Sequence, residues 1–106
     1  MNKQGARTPE AMALRKEGGI FLKALRTHVG ITQRELAVKL DMNYYTMIAQ
    51  MEAGSARVPP DTYVPYAKAL GVDPSLFVQK LMQFYDPFTY AALWGKKKVS
   101  MTDLIS

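Results

Sequence analysis

"GITQRELAVKLDMNYYTMIAQMEAG", residues 30–54, decides the fold, because this stretch reads as two short amphipathic helices joined by a few residues. Thr32 and Glu35 have the spacing of a capping box, in which the threonine covers the amide three residues on and the glutamate reaches back. After a tight turn, the second helix is expected from about Tyr44 to Glu52. The stretch therefore predicts a helix, a turn and a second short helix.

Two adjacent tyrosines, Tyr44 and Tyr45, open this second helix, although only one of the two rings can point into a core. We expect Tyr44 to face outward and Tyr45 to be partly packed. In the alternative arrangement both rings pack against the first helix. The preferred arrangement indicates that the outward ring contacts something outside the domain.

Composition sets limits on the fold and on the partners. The 106 residues allow one domain with a modest core, and the absence of cysteine excludes a disulfide, a thiolate nucleophile and a cysteine-based zinc site. A net charge of +5 permits an anionic partner, although the basic excess lies in residues 1–30 and 95–106. No apolar run has the length of a signal peptide or a membrane span, so we expect a cytoplasmic protein with no membrane partner.

The rest of the chain is expected to be helical as well. Apolar residues recur at spacings of three and four, and Gly or Pro stands between the periodic stretches. Thr8 is the expected N-cap of an amino-terminal helix that begins at Pro9. Gly18 and Gly19 are expected to weaken or kink this helix before its inward apolar stripe.

Proline and aspartate mark the starts of the later helices. The segment VPPD, residues 58–61, opens a fourth helix, and Asp73 caps a fifth. Asp86 and Pro87 end the fifth helix and begin a short sixth. The tail after Gly95 has no clear secondary-structure signal and stays unplaced.

This arrangement resembles the helix-turn-helix domain of the Cro/lambda-repressor-like (XRE) family of transcriptional regulators, over about residues 17–74. The residues that carry the resemblance are, in order, LRTHVGITQRELAVKL (25–40), the E-x-G of Glu52 and Gly54, RVPP (57–60) and YAKALGVD (66–73). Two features depart from the family: Asp41 stands where Gly is usual, and the stretch 40–52 is one residue longer than in the commonest members. The register of the base-facing positions is therefore fixed only to within one residue.

The resemblance implies an all-α fold: a compact five-helix lambda-repressor-like helix-turn-helix domain with an extra amino-terminal helix and a carboxy-terminal helical extension. On this basis the chain divides into a basic amino-terminal arm or helix (1–16), the DNA-binding domain (17–72), aromatic helices (73–95) and a basic tail (96–106).

In similar repressors the third helix lies in the DNA major groove, while the second helix crosses the backbone. The positions that resemble base contacts are Tyr44, Tyr45, Thr46 and Gln50. The positions that resemble phosphate contacts are Gln33, Arg34, Asn43 and Arg57. Further candidates from the basic arm are Arg7, Arg15 and Lys16. In similar proteins the positions of Arg26 and Glu52 form a partly buried ion pair between the first helix and the end of the third, so the resemblance implies a structural role for both. Removing one partner would then leave the other unpaired.

Residues 73–95 hold six of the eleven aromatic side chains of the chain, more than a small interior has room for. The rings either cap the underside of the bundle or form a two-fold interface. We favour the interface, because interface cores are enriched in aromatic residues. The expected interface residues are Phe77, Phe84, Phe88 and Trp94.

From the resemblance we expect a sequence-specific transcriptional regulator, a repressor, that binds double-stranded DNA as a homodimer on an inverted-repeat operator and associates with the nucleoid. The alternatives are an antitoxin-like protein that neutralises a toxin and autoregulates its operon, and a protein-interaction module that has lost DNA binding. No nucleophile lies at a workable spacing from a base, and the single histidine, His28, has no clustered acids. We therefore expect neither an enzyme nor a bound metal or cofactor.

Overall fold

The protein is all-helical over residues 8–105, which are the residues described by the computed structural model. The predicted all-α fold class is confirmed, and the predicted basic arm lies partly outside the described residues, Arg7 included. The helices are α1 (Pro9–Val29), α2 (Gln33–Lys39), α3 (Thr46–Ala53), α4 (Tyr63–Leu70), α5 (Pro74–Tyr85), α6 (Pro87–Trp94) and α7 (Met101–Ile105). A 3₁₀ turn, Pro60–Thr62, leads into α4.

The first helix, predicted to be weakened or kinked at Gly18 and Gly19, continues without a break through both glycines. Its start is as predicted, because the Thr8 hydroxyl oxygen accepts a hydrogen bond from the Ala11 amide at 3.0 Å. Both glycines are buried, and a Cβ atom on Gly19 would lie 2.3 Å from the Glu52 carbonyl oxygen. They are therefore positions where other helices approach α1 closely. The amino-terminal helix and the first helix of the domain are one element.

The helix-turn-helix unit has the predicted amino-terminal cap. The Glu35 amide donates to the Thr32 hydroxyl at 3.0 Å, and the Thr32 amide donates to the Glu35 carboxylate at 2.7 Å. Asp41, where the family usually has glycine, adopts the left-handed backbone conformation with a φ of 57°. The second helix begins at Thr46, two residues later than predicted, so Tyr44 and Tyr45 belong to the turn that precedes it.

One hydrophobic core joins all the helices except α6. Its buried members are Phe21, Leu22, Leu25, Leu36, Ala37, Ile48, Met51, Val58, Tyr66, Ala67, Leu70, Val72, Phe77, Leu81, Val99 and Leu104. Phe77 is completely enclosed, and its ring stacks on that of Tyr66 with centroids 5.5 Å apart. The prediction that Phe77 lies in an interface between copies is therefore wrong, because no part of its side chain reaches the surface.

The carboxy-terminal segment forms two further helices. Asp73 and Asp86 cap α5 and α6 as predicted, each by accepting hydrogen bonds from backbone amides. The unplaced tail forms α7, which packs on α5 and buries Val99 and Leu104. Ser100 and Asp103 cap α7 reciprocally, because the amide of each donates a hydrogen bond to the side-chain oxygen of the other.

Candidate nucleic-acid interface

The side chains at the start of α3 form one exposed surface. Tyr44 is 75% exposed, so the alternative in which both tyrosines pack against the first helix is wrong for this ring. The exposed residues of this surface are Asn43, Tyr44, Tyr45, Thr46, Met47 and Gln50. Ile48 and Met51 of the same helix are fully buried, which fixes the direction in which the exposed side chains point. All four predicted base-contacting residues therefore face outward together.

Tyr45 is less exposed than Tyr44, at 39%, because Arg34 covers part of its ring. The guanidinium carbon of Arg34 lies 4.9 Å from the ring centroid, a cation–π distance. Arg34 is in the first turn of α2, and Tyr45 is the residue immediately before α3. The contact therefore bridges the two helices on the outside of the unit.

A buried polar network fixes the opposite end of α3 to α1 and α2. Arg26 donates to both carboxylate oxygens of Glu52, from Nε at 2.6 Å and from Nη2 at 3.0 Å. This is the ion pair that the resemblance implies, and the hydrogen bond to Glu52 raises the pKa of Arg26. Arg26 also donates to the Ile31 carbonyl at 2.9 Å, which holds the connection between α1 and α2.

Gln33, a predicted phosphate contact, belongs to the same network. Its side-chain amide donates to Oε1 of Glu52 at 3.0 Å, and the side chain is half-buried. The bond holds the start of α2 to the end of α3. Sequence reasoning placed Gln33 at the DNA backbone but did not identify its bond to Glu52, because the two residues are 19 positions apart.

Arg57, another predicted phosphate contact, is half-buried and held by two tyrosines. It donates to the Tyr63 hydroxyl at 3.0 Å, and its guanidinium carbon lies 4.6 Å from the Tyr85 ring centroid. The Tyr85 hydroxyl in turn accepts a hydrogen bond from the Val58 amide at 3.1 Å, and burial raises the pKa of Tyr85. Arg57 thus braces the segment after α3 against α4 and α5.

The predicted interface residues differ widely in exposure. Phe84 packs on the Phe21 ring at 5.9 Å, and Trp94 packs on Tyr90 at 5.5 Å, so both are half-buried. Phe88 is 87% exposed. Leu93, which sequence reasoning missed because it considered only aromatic residues, is 65% exposed on the same helix. The apolar composition of α6 on all sides was the available signal.

Other classes of site find little support in the part of the chain that the structure describes. Among residues 8–105, no three histidine, aspartate or glutamate side chains are grouped so that they could hold a metal ion. His28 is exposed near the end of α1. Within the same residues, each helix is too short or too polar to cross a membrane.

The helix-turn-helix region of the chain is also recognised by comparison with known protein families. A family model described as helix-turn-helix matches residues 22–77, which is just over half of the chain. The match begins within α1, contains α2, α3 and α4, and ends within α5, so it includes the exposed surface at the start of α3. No curated protein and no solved structure matched the chain.

Proposed function

The chain belongs to the XRE-like helix-turn-helix family of DNA-binding transcriptional regulators, and on that premise we propose that it is a repressor that binds an inverted-repeat operator as a homodimer. The observation that carries the proposal is the outward-facing surface at the start of α3. Its polar and aromatic side chains are exposed while the apolar side chains of the same helix are buried. A helix of this kind can enter the major groove with its first turn against the base edges.

The exposed side chains have suitable chemistry for reading bases. Gln50 can bond bidentately to N6 and N7 of adenine, and the methyl group of Thr46 can contact that of thymine. Tyr44 offers a ring edge for thymine methyl groups and a hydroxyl for a base or phosphate acceptor. These three residues and Tyr45 form the proposed specificity surface.

Phosphate contacts are proposed for residues that flank this surface. Arg34 is exposed in the first turn of α2, Asn43 is exposed in the turn between α2 and α3, and Gln33 is the first residue of α2. Such contacts set the register of the protein on the duplex without reading sequence. Arg57 we assign to bracing, because Tyr63 and Tyr85 hold its guanidinium.

The dimer is proposed to form through α6. Phe88 and Leu93 leave most of their apolar surface in water in a single copy, and burial of that surface between two copies would favour association. Two copies related by a two-fold axis would place two α3 helices on one face of the duplex, and pairing of the two half-site contacts raises affinity.

Selection of bound sequences from a random pool of duplex DNA, followed by footprinting, tests the operator. We expect inverted repeats whose half-sites are about 10 base pairs apart, or a multiple of that spacing, because both recognition helices must reach the same face. Recovery of single asymmetric motifs would contradict the dimer. Failure to enrich any sequence would favour a protein-interaction module that has lost DNA binding.

Substitutions in α3 test the readout. Gln50→Ala and Thr46→Ala should each relax the preference at one or two base pairs, at a cost of about 1 to 3 kcal/mol on the selected site. Gln79→Ala on α5 makes the same chemical change as Gln50→Ala but lies outside the proposed surface, so it should leave DNA binding unaltered. Unchanged base preference in both α3 variants would show that the register of the helix on DNA is different.

Substitutions in α6 test the interface. The double variant Phe88→Ser with Leu93→Ser should sediment as a folded monomer, because it removes the exposed apolar surface and leaves the buried core untouched. Val64→Ser, at an exposed position on α4, is the matched control and should sediment like the unaltered protein. A double variant that remained a dimer would place the interface on another surface.

A further inference from the structure

Arg34 and Tyr45 form the one exposed cation–π contact of the proposed DNA-binding surface within the described residues. The guanidinium carbon lies 4.9 Å from the ring centroid, and the two side chains come from α2 and from the turn before α3. No charged group of the described residues covers the neighbouring Tyr44 ring, which is the more exposed of the two. The adjacent tyrosines are therefore in different environments.

A guanidinium that stacks on a ring keeps its donors free. The N–H groups of arginine lie in the plane of the guanidinium, so a ring beneath that plane covers a face and leaves the edges open. Those edges match the spacing of two oxygens on a phosphate. An exposed arginine without a contact must be ordered when it binds, and a ring 4.9 Å from the guanidinium carbon lowers that cost by restricting the side chain beforehand.

We propose that Tyr45 is a positioning residue whose ring holds Arg34 ready to bind a phosphate of the DNA backbone, and that its hydroxyl reads no base. The inference rests on the proposed function, and it reduces the base-reading set to Tyr44, Thr46 and Gln50. It explains why two tyrosines stand side by side before α3: one reaches outward, and the other supports the arginine of the preceding helix.

A double-mutant cycle on Arg34 and Tyr45 tests the inference. Affinity is measured by fluorescence anisotropy, over a series of salt concentrations, for the selected operator and for a duplex of unrelated sequence. Tyr45→Ala should weaken binding to both duplexes about 2- to 5-fold, the range of an exposed cation–π contact. Tyr45→Phe should bind like the unaltered protein, because it keeps the ring and removes only the hydroxyl.

The decisive comparison repeats the tyrosine substitutions in the Arg34→Ala variant. Arg34→Ala should reduce the slope of log affinity against log salt by about 0.9, as expected for one lost phosphate contact. In that background Tyr45→Ala should have no further effect. Tyr44→Ala is the matched control, and its effect should be the same with and without Arg34. Thermal unfolding checks that each variant keeps its fold, and the change should be small, because an exposed cation–π contact contributes little to stability.

Two results would overturn the inference. If Tyr45→Phe weakened binding as much as Tyr45→Ala, the hydroxyl would be the contacting group. If Tyr45→Ala had its full effect without Arg34, the ring would act on DNA directly. Failure of the unaltered protein to bind any duplex would instead overturn the proposed function, and this inference with it.

Discussion

The two ends of α3 differ in what surrounds them. At its start the side chains are exposed, and Arg34 covers only part of the Tyr45 ring. At its end Glu52 is buried, and a Cβ atom on Gly54 would lie 2.8 Å from the Cα of Lys16. The end of the helix is thus fixed against α1, whereas its start is open to solvent. The two environments are separated by the eight residues of α3.

Two arginines that flank α3, Arg34 and Arg57, also differ in exposure. Arg34 lies over Tyr45 before α3, and Arg57 lies over Tyr85 after it, at similar distances of 4.9 and 4.6 Å. Arg34 is exposed, whereas Arg57 is half-buried and also donates to the Tyr63 hydroxyl. The residue type and its aromatic partner are alike at both sites, so the two arginines differ in burial, and on this difference we propose Arg34 as the phosphate contact and Arg57 as the brace.

The largest effect is expected from removing the anchor of α3. Glu52→Ala leaves the Arg26 guanidinium enclosed without its partner, which should lower the free energy of unfolding by about 3 to 5 kcal/mol. Urea unfolding followed by circular dichroism measures the loss. Glu17→Ala on the exposed face of α1 is the control and should change stability little. A loss no larger than that of the control would show that the two ends of α3 do not differ in this way.

A smaller effect is expected from separating α3 from α1. Gly19→Ala places a Cβ atom 2.3 Å from the Glu52 carbonyl oxygen, and the backbone must shift, at a cost of about 1 to 3 kcal/mol. Gly18→Ala is the matched control, because its Cβ atom would lie 3.1 Å from Phe84 and alanine favours the helix. The same unfolding measurement compares them. Equal stability of the two variants would mean that α3 does not need the close approach.

The two arginines can be separated directly. Arg57→Ala should lower the free energy of unfolding by about 1 to 2 kcal/mol, through the lost hydrogen bond and cation–π contact, and leave the salt dependence of DNA binding unchanged. Arg34→Ala should instead change the free energy of unfolding little and reduce the salt dependence of DNA binding. Stability by urea titration and binding at several salt concentrations are measured on both proteins. A reduced salt slope in Arg57→Ala would restore Arg57 as a phosphate contact.

The smallest effect is expected at the cap of α2. The hydrogen bonds from Thr32 lower the pKa of Glu35, so its contribution to stability is complete above the usual glutamate pKa and is lost as the pH falls through the lowered value. Glu35→Gln should therefore reduce stability at pH 7 and have less effect at pH 3. Glu17→Gln controls for the change in net charge. A difference that stayed constant with pH would show that the ionised carboxylate does not make the cap.

The local features of the fold were predictable from the sequence because their causes are local. The caps at Thr8, Asp73 and Asp86 and the capping box at Thr32 each depend on residues within a few positions. The ion pair between α1 and α3 could be foreseen only through the family resemblance. For the predicted base contacts, which stay a prediction, the structure adds that all four side chains are exposed.

The features that were missed depend on distant parts of the chain. Gly18 and Gly19 were expected to weaken or kink the helix, because nothing near them in sequence indicates that α3 and α5 pack against them. Phe77 was assigned to an interface because residues 73–95 hold more aromatic side chains than the small interior was expected to bury. The tail was overlooked although Ser100 and Asp103 have capping-box spacing, and its helix enlarges the core.

The burial of Leu104 also bears on folding during synthesis. Domains fold as units while the chain leaves the ribosome, and a core closes only when its members have emerged from the exit tunnel. Val99 and Leu104 are core members that pack with α5, so a nascent chain that already displays α2 and α3 still has an incomplete core. We expect the DNA-binding surface to become stable only after residue 104 has been released.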